Sequence, residues 1–341
     1  MVKKMILRGL LLTVLFFTIP FSADSVEIGF PAIAKRNFVA CGIDSDYNHL
    51  ARKQDGIWSG LDADMCRAIA QAILQDSESF RLIPVKNEKI GKMLNSGLID
   101  VMLGHLSLPI QFEALQNIQP TDVIYYDRLV FAARHAKSKN STSKSYHGAK
   151  VCVQDNSVAF EAAKRYNTQY ALGFNFIRFP QTSAVKAAFY LNRCDLVAGD
   201  EVFITGIIND LKNNEAKVLN DEMAIIPIRY YTSGNNSFFN LAINSIFNAL
   251  KLAATEGVMS SNLETFNAES STNIRNILGL DGKFWSRLHL QSDWLPKYIH
   301  QYGNYDDILN RNIGFASPLK LNMSINQPYN KGGHLITAPL F

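Results

Sequence analysis

The sequence predicts an α/β protein of two domains, each built on a mainly parallel sheet. Three observations carry this. The chain has 341 residues, about two domains at roughly 150 residues each. Apolar residues make up 47% and charged residues 19%, a balance that fits large cores and excludes a disordered chain. Strand patterns alternate with helix patterns in two successive strand–helix–strand–helix–strand units.

In the first unit, residues 37–43 read as a strand running into the polar turn Asp44–Ser45–Asp46. Residues 61–74 read as a helix, because Met65, Ala68, Ile69, Ala72 and Ile73 recur at helical spacing; Asp62 is the expected cap. A strand over 80–85 follows, then a short helix over 89–95 stopped by Gly97. A buried strand over 99–103 and a long apolar extended run over 123–133 complete the unit. Residues 137–145 are rich in Lys and Ser, contain no apolar residue and predict a solvated loop. The second unit predicts strands over 149–153, 176–179 and 196–198, with helices over 157–166 and 184–192 between them. An extended run over 223–231 leads to an amphipathic helix over 237–254, whose stripe is Phe239, Ile243, Ile246, Leu250 and Ala253. The remainder is loop-rich, with helical pieces near 272–278 and 294–302.

The front of the chain reads as an address. Lys3, Lys4 and Arg8 precede an uncharged run over 10–19, and Pro20, Phe21, Ser22 and Ala23 follow. This is the order of a cleavable secretory signal, expected to occupy 1–23. The run is too short to span a bilayer, and no later run is apolar for about 18 residues, so the mature chain is expected to be soluble. Three of the basic charges behind the formal +4 lie in this segment. The remainder is close to neutral, which is no electrostatic footprint for nucleic acid.

Export makes disulfides the expected fate of Cys41, Cys66, Cys152 and Cys194. Four cysteines allow three pairings, and the sequence does not choose among them. Two early and two late cysteines favour Cys41–Cys66 and Cys152–Cys194, one in each half. No CxxC and no closely spaced His pair is present, so no metal is expected.

Catalytic signatures are equally missing: the chain has no GxSxG, Walker A loop, GxGxxG or HExxH. Polar residues instead follow strand ends, where open α/β sheets bind ligands. They are Asp44, Gly104–His105, Gln154–Asp155–Asn156–Ser157 and Asp200–Glu201. Two such edges from each unit are expected to face one shared cleft.

Several segments, in order, carry a resemblance: DGIWSGLDADMCRAIA (55–70), LNSGLIDVML (94–103), AKVCVQDNS (149–157) and LNRCDLVAGD (191–200). Toward the end stand YGNYDDILNRNIG (302–314), PLKLN and YNKGGHLITAP. Together they resemble the periplasmic substrate-binding proteins of polar amino-acid ABC transporters, and in their cysteines and tail the general L-amino-acid-binding subfamily. The resemblance spans about 37–339.

It implies a type II periplasmic-binding-protein, or Venus-flytrap, fold: two lobes joined by two crossover strands, with a C-terminal extension. The crossovers are expected at 128–133 and 226–231. Lobe one would be 37–130 plus 231–341, and lobe two 131–230. The resemblance further implies a monomer without cofactor or catalysis. It would capture an amino acid-like ligand and deliver it to a membrane permease.

The resemblance also implies site residues. Asp200 matches the acid that pairs with a ligand ammonium. Laid on the pattern IDxxxxxLSxTxxR, the segment from Ile99 places Phe112 where the family has its carboxylate-binding Arg, and Pro109 where it has Thr; Ser107 keeps the Ser. No Arg or Lys lies between Ile99 and Asp127. The family's Gly-Thr pair reads Asn156–Ser157, of which Ser157 is expected to donate to the ligand. His105 stands next to the ligand and would supply positive charge when protonated. Tyr47 would supply a stacking face, and Asp44 a strand-end carboxylate. With the Arg missing, two alternatives stand beside the amino-acid reading. One is a binder of an amine or other solute. The other is a dehydratase-like enzyme on the same fold, with Glu201 and His105 as its acid–base candidates.

Overall fold

A computed structural model describes residues 26–47, 49–134, 141–211, 216–280 and 283–339. The expected signal segment 1–23 lies outside them. From the front, helix α1 (Phe30–Arg36) leads into strand β1 (Val39–Ile43). A hairpin of β2 (Arg52–Gln54) and β3 (Ile57–Ser59) precedes α2 (Leu61–Leu74). Next come β4 (Phe80–Pro84), α3 (Ile90–Asn95), β5 (Val101–Met102), α4 (Ile110–Gln116) and β6 (Ile118–Pro120). The second unit runs β7 (Tyr125–Arg134), β8 (Lys150–Gln154), α5 (Val158–Tyr170), β9 (Asn175–Phe179), α6 (Thr182–Tyr190), β10 (Leu196–Asp200), α7 (Glu201–Asn209) and β11 (Ala216–Ile228). Strand β12 (Tyr231–Ser233) and α8 (Ser237–Thr255) return to the first. The tail holds α9 (Thr272–Ile277), α10 (Phe284–Arg287), α11 (Trp294–Tyr302) and α12 (Tyr305–Asn312).

Two five-stranded sheets result, in the orders β4-β1-β5-β12-β6 and β11-β7-β10-β8-β9. The parallel character is only half of what periodicity predicts. Strands β4, β1 and β5 are parallel, as are β10, β8 and β9; β12, β6, β7 and β11 join antiparallel. The parallel strands are those linked by helical crossovers. The antiparallel ones flank the two places where the chain passes between sheets, at 121–124 and 229–230. The strand expected as the first crossover, 128–133, therefore lies wholly within the second sheet.

Both faces of the second sheet are covered, so its strands read as continuous apolar runs. In β7, Val130 and Ala132 pack into one cluster, while Phe131 and Ala133 pack into another on the opposite face. Cys152 and Val197 continue the first cluster, and Val151, Val153, Leu196 and Ala198 the second. The expected stripe of α8 is fully buried, and the tail helices α11 and α12 pack on α2 and α8.

Both disulfides form as favoured, Cys41–Cys66 and Cys152–Cys194, with Cα atoms 6.3 and 5.7 Å apart. Two local expectations are corrected. Asp62 does not cap α2. Gly60 takes the cap position with φ 114°, and an added Cβ there would lie 2.3 Å from the Leu50 carbonyl oxygen. Of the expected solvated loop, 137–140 lies outside the described residues. Ser141 and Ser143 are buried, and the Ser143 amide donates to Asp221.

Candidate functional site

A cavity of about 160 Å³ opens between the two sheets. Its first wall comes from the first unit: Tyr47 beyond β1, Asn87, and residues 105–109 beyond β5. Its second wall is Gln154, Asn156 and Ser157 beyond β8, Val158 and Ala159 of α5, Thr182 and Val185 of α6, and Ala198–Asp200 of β10. Leu129, Phe203 and Ile226 complete it. No Arg or Lys is among these residues.

Of the eight predicted binding residues, Asp200, Ser107, His105, Ser157, Asn156 and Tyr47 share this cavity; Asp44 and Phe112 do not. Asp44 is spent on its own turn, where Oδ1 accepts from the Asp46 amide at 2.9 Å. Phe112 sits on α4, half-buried, and packs in the cluster containing Leu94 and Leu106.

Asp200 is the cap of α7: Oδ1 accepts from the Phe203 amide at 2.8 Å. Oδ2 accepts from the Tyr47 hydroxyl at 2.7 Å. The Tyr47 ring lies flat on His105, with centroids 4.9 Å apart and planes 2° from parallel. Its face is thus taken by the imidazole. His105 Nε2 lies 2.7 Å from Asp127 Oδ2 and 3.6 Å from Asp200 Oδ1. Asp127 Oδ2 also accepts from the Val202 amide, at 3.2 Å. Burial opposes a charged imidazole, but the Asp200 charge and the Asp127 hydrogen bond and charge outweigh it and push the pKa up to about 9. Burial raises Asp200, and His105 partly offsets this. The imidazole is thus held between two carboxylates, which favour its charged form.

Ser157 is committed as well. As the cap of α5 it accepts from the Phe160 amide at 3.0 Å and donates to the Gln154 carbonyl at 2.7 Å. Its single proton is used, and the amides of Val158 and Ala159 at the start of α5 have no acceptor within the helix. Asn156 has φ 54°, a left-handed conformation that explains why the resemblance places Gly here and why Asn can replace it. Ser107 lines the wall half-buried. Glu201 is held by Arg128 through two hydrogen bonds of 2.8 and 2.7 Å and lines a separate cleft. It forms no acid–base pair with His105 in the cavity.

Asp127, missed in the sequence, is the hub of the cluster. Its signal was there: an acid within a long apolar extended run. Thr182 was missed too; its hydroxyl donates to Asp46 Oδ2 at 2.7 Å, bridging the two walls. Among the described residues, His105, Asp127 and Asp200 are also the one group whose donor atoms converge within 4.8 Å, as a metal site requires. The charged hydrogen bond between His105 and Asp127 accounts for that convergence without an ion.

No family model matches the chain. Individual proteins do. The General L-amino acid-binding periplasmic protein AapJ of Rhizobium johnstonii is 28% identical over 313 residues, 90% of this chain and 91% of the relative. The Putative amino-acid ABC transporter-binding protein YhdW of Escherichia coli K12 is also 28% identical over 313 residues, 91% of each. A solved ABC transporter/periplasmic binding protein from Brucella ovis, with glutathione bound, superposes with a TM-score of 0.83. It is 27% identical, with 92% of this chain and 99% of that one covered.

Over nine-tenths of its length the chain is similar to amino-acid-binding proteins of ABC transporters.

Its fold is the type II periplasmic-binding-protein fold, and the tail beyond α8 falls within the span shared with these relatives. The cavity wall combines Asp200 with the start of α5, and His105 is the one basic side chain lining it.

Proposed function

We propose that the chain is the extracytoplasmic solute-binding component of an amino-acid ABC importer. It captures a small amino acid-like ligand between two lobes and delivers it to the membrane permease. One observation carries the reading: a small cavity walled by the strand ends of both sheets. A ligand that touches both walls does so only when they are together, so it favours the closed arrangement that the permease recognises. The lobes divide where the chain passes between sheets, and the segment 1–23 directs export to the periplasm.

The ligand's anionic end is assigned to the open amides of Val158 and Ala159, where the start of α5 favours negative charge. Asn87, Ser107 and Asn156 supply neutral polar contacts, and Leu129, Val185 and Ile226 the apolar wall. The test is a thermal-shift screen of refolded mature chain, from about Asp24, against common L-amino acids, their derivatives, polyamines and small acids. A ligand at about 100 times its dissociation constant adds about 2.7 kcal/mol of stability. A hit among amino acids or derivatives is the expected outcome. A hit among polyamines alone, or no hit with folded protein, refutes the reading.

A further inference from the structure

We infer that His105 is a built-in counter-cation that fills the position beside Asp200, so that the cavity selects solutes lacking a free ammonium there. The inference rests on the solute-binding reading above and names the ligand class for the same site.

The local charges are matched within the protein. Two buried carboxylates, Asp127 and Asp200, face one imidazole, and both also accept amides from the first turn of α7, Val202 and Phe203. The positive end of α7 and the imidazolium together offset the pair. Other titratable groups facing the ring are Asp44 and Tyr47 beyond β1, Asp62 on α2 and Tyr125 on β7. All are carboxyls or phenols, so the ring is the cation of this cluster. Tyr47 closes over it by stacking and occupies the second oxygen of Asp200.

An arriving ammonium would have to lie against the imidazolium or pull it from two buried partners, and either costs affinity. A hydroxyl, a keto group or an acylated nitrogen at that position brings no second charge. The ligand class is therefore a small carboxylic acid whose α-nitrogen is absent or blocked, such as a 2-hydroxy acid or an N-acylated amino acid. Its carboxylate would meet the α5 amides.

Two measurements decide this. In the first, imidazole nitrogens of the mature chain are followed by ¹⁵N NMR, with the His105 signal assigned through His105→Gln. A doubly protonated ring at about pH 7.5 is expected, against an ordinary midpoint of about 6.5; a neutral ring overturns the inference. In the second, calorimetry compares each L-amino acid with its N-acetyl and 2-hydroxy counterparts, on wild type and on His105→Gln. Wild type should favour a blocked or hydroxy member by at least about tenfold, and the variant should lose that preference. Preference for the free amino acid, or a preference unchanged by His105→Gln, overturns the inference. Silence from every pair refutes the solute-binding reading instead, and the charge of the ring then decides the counter-cation alone.

Discussion

Asp62→Asn should stabilise the protein at neutral pH, and by an amount that depends on pH in a specific way. Asp62 is 1% exposed on α2. Its Oδ1 accepts from the Gly104 amide at 3.2 Å, while Oδ2 has no hydrogen-bond partner of sound geometry. Burial raises its pKa to about 7, against the ordinary 3.8. A raised carboxyl leaves stability intact below its unfolded pKa and erodes it as pH climbs toward the folded value. At about 1.4 kcal/mol per unit, a shift of about three units costs up to about 4 kcal/mol above pH 7. Asparagine keeps the acceptor for Gly104, matches the shape and carries no charge. Urea denaturation of both proteins from pH 4 to pH 8 should give equal stability at about pH 4. The gap should open between about pH 4 and pH 7 and then level off. A gap independent of pH, or a variant less stable at pH 8, would refute the reasoning. The outcome also bears on the cavity, because the Gly104 amide directly precedes His105.

Asp200→Asn keeps the cap of α7 but removes the largest influence raising His105. The NMR midpoint should fall from about 9 toward the ordinary 6.5, and an unmoved midpoint would contradict the ion-pair geometry. Ser157→Ala removes the α5 cap and should cost about 1 kcal/mol in denaturant melts; a neutral result would mean that the cap bonds carry no net energy. Replacing Cys152 and Cys194 by Ser opens a loop with a sequence separation of 42, which costs about 4 kcal/mol in the chain-entropy model. The Cys41–Cys66 pair, with a separation of 25, should cost about 3.5 kcal/mol by the same measurement. Asn326→Ala removes two hydrogen bonds to the Tyr126 backbone, at 2.6 and 2.9 Å. It should lower stability by about 1–3 kcal/mol; an unchanged midpoint would show that the tail does not brace that strand.

Local periodicity carried the elements well, because a helix such as α2 or α8 announces its buried stripe within its own sequence. Strand direction was less legible. Whether β7 and β12 run with or against their neighbours depends on where the chain changes sheets, and no residue pattern within either strand states that. The site was legible as a place, and less so in its internal bonds. Strand ends put His105, Asn156, Ser157 and Asp200 in one cavity, as their polar character suggested. Their hydrogen bonds, however, join residues far apart in the chain. Tyr47 and Asp200 are 153 residues apart, and His105 and Asp127 are 22 apart. Side chains that looked available to a ligand are consumed by caps and by each other. Phe112 failed for a related reason. A motif position can be matched by spacing while its side chain, here Phe112 on α4, turns into a packed cluster instead of the cavity.

Neither disulfide spans the cavity. Cys41 on β1 reaches Cys66 on α2, and Cys152 on β8 reaches Cys194 just ahead of β10. The covalent bracing is therefore confined to the jaws and leaves the straps between them unbolted. An oxidising compartment stiffens each jaw without restricting its travel. A reducing one would remove that bracing within each jaw. Both covalent braces thus act within a wall of the cavity, and none acts across it.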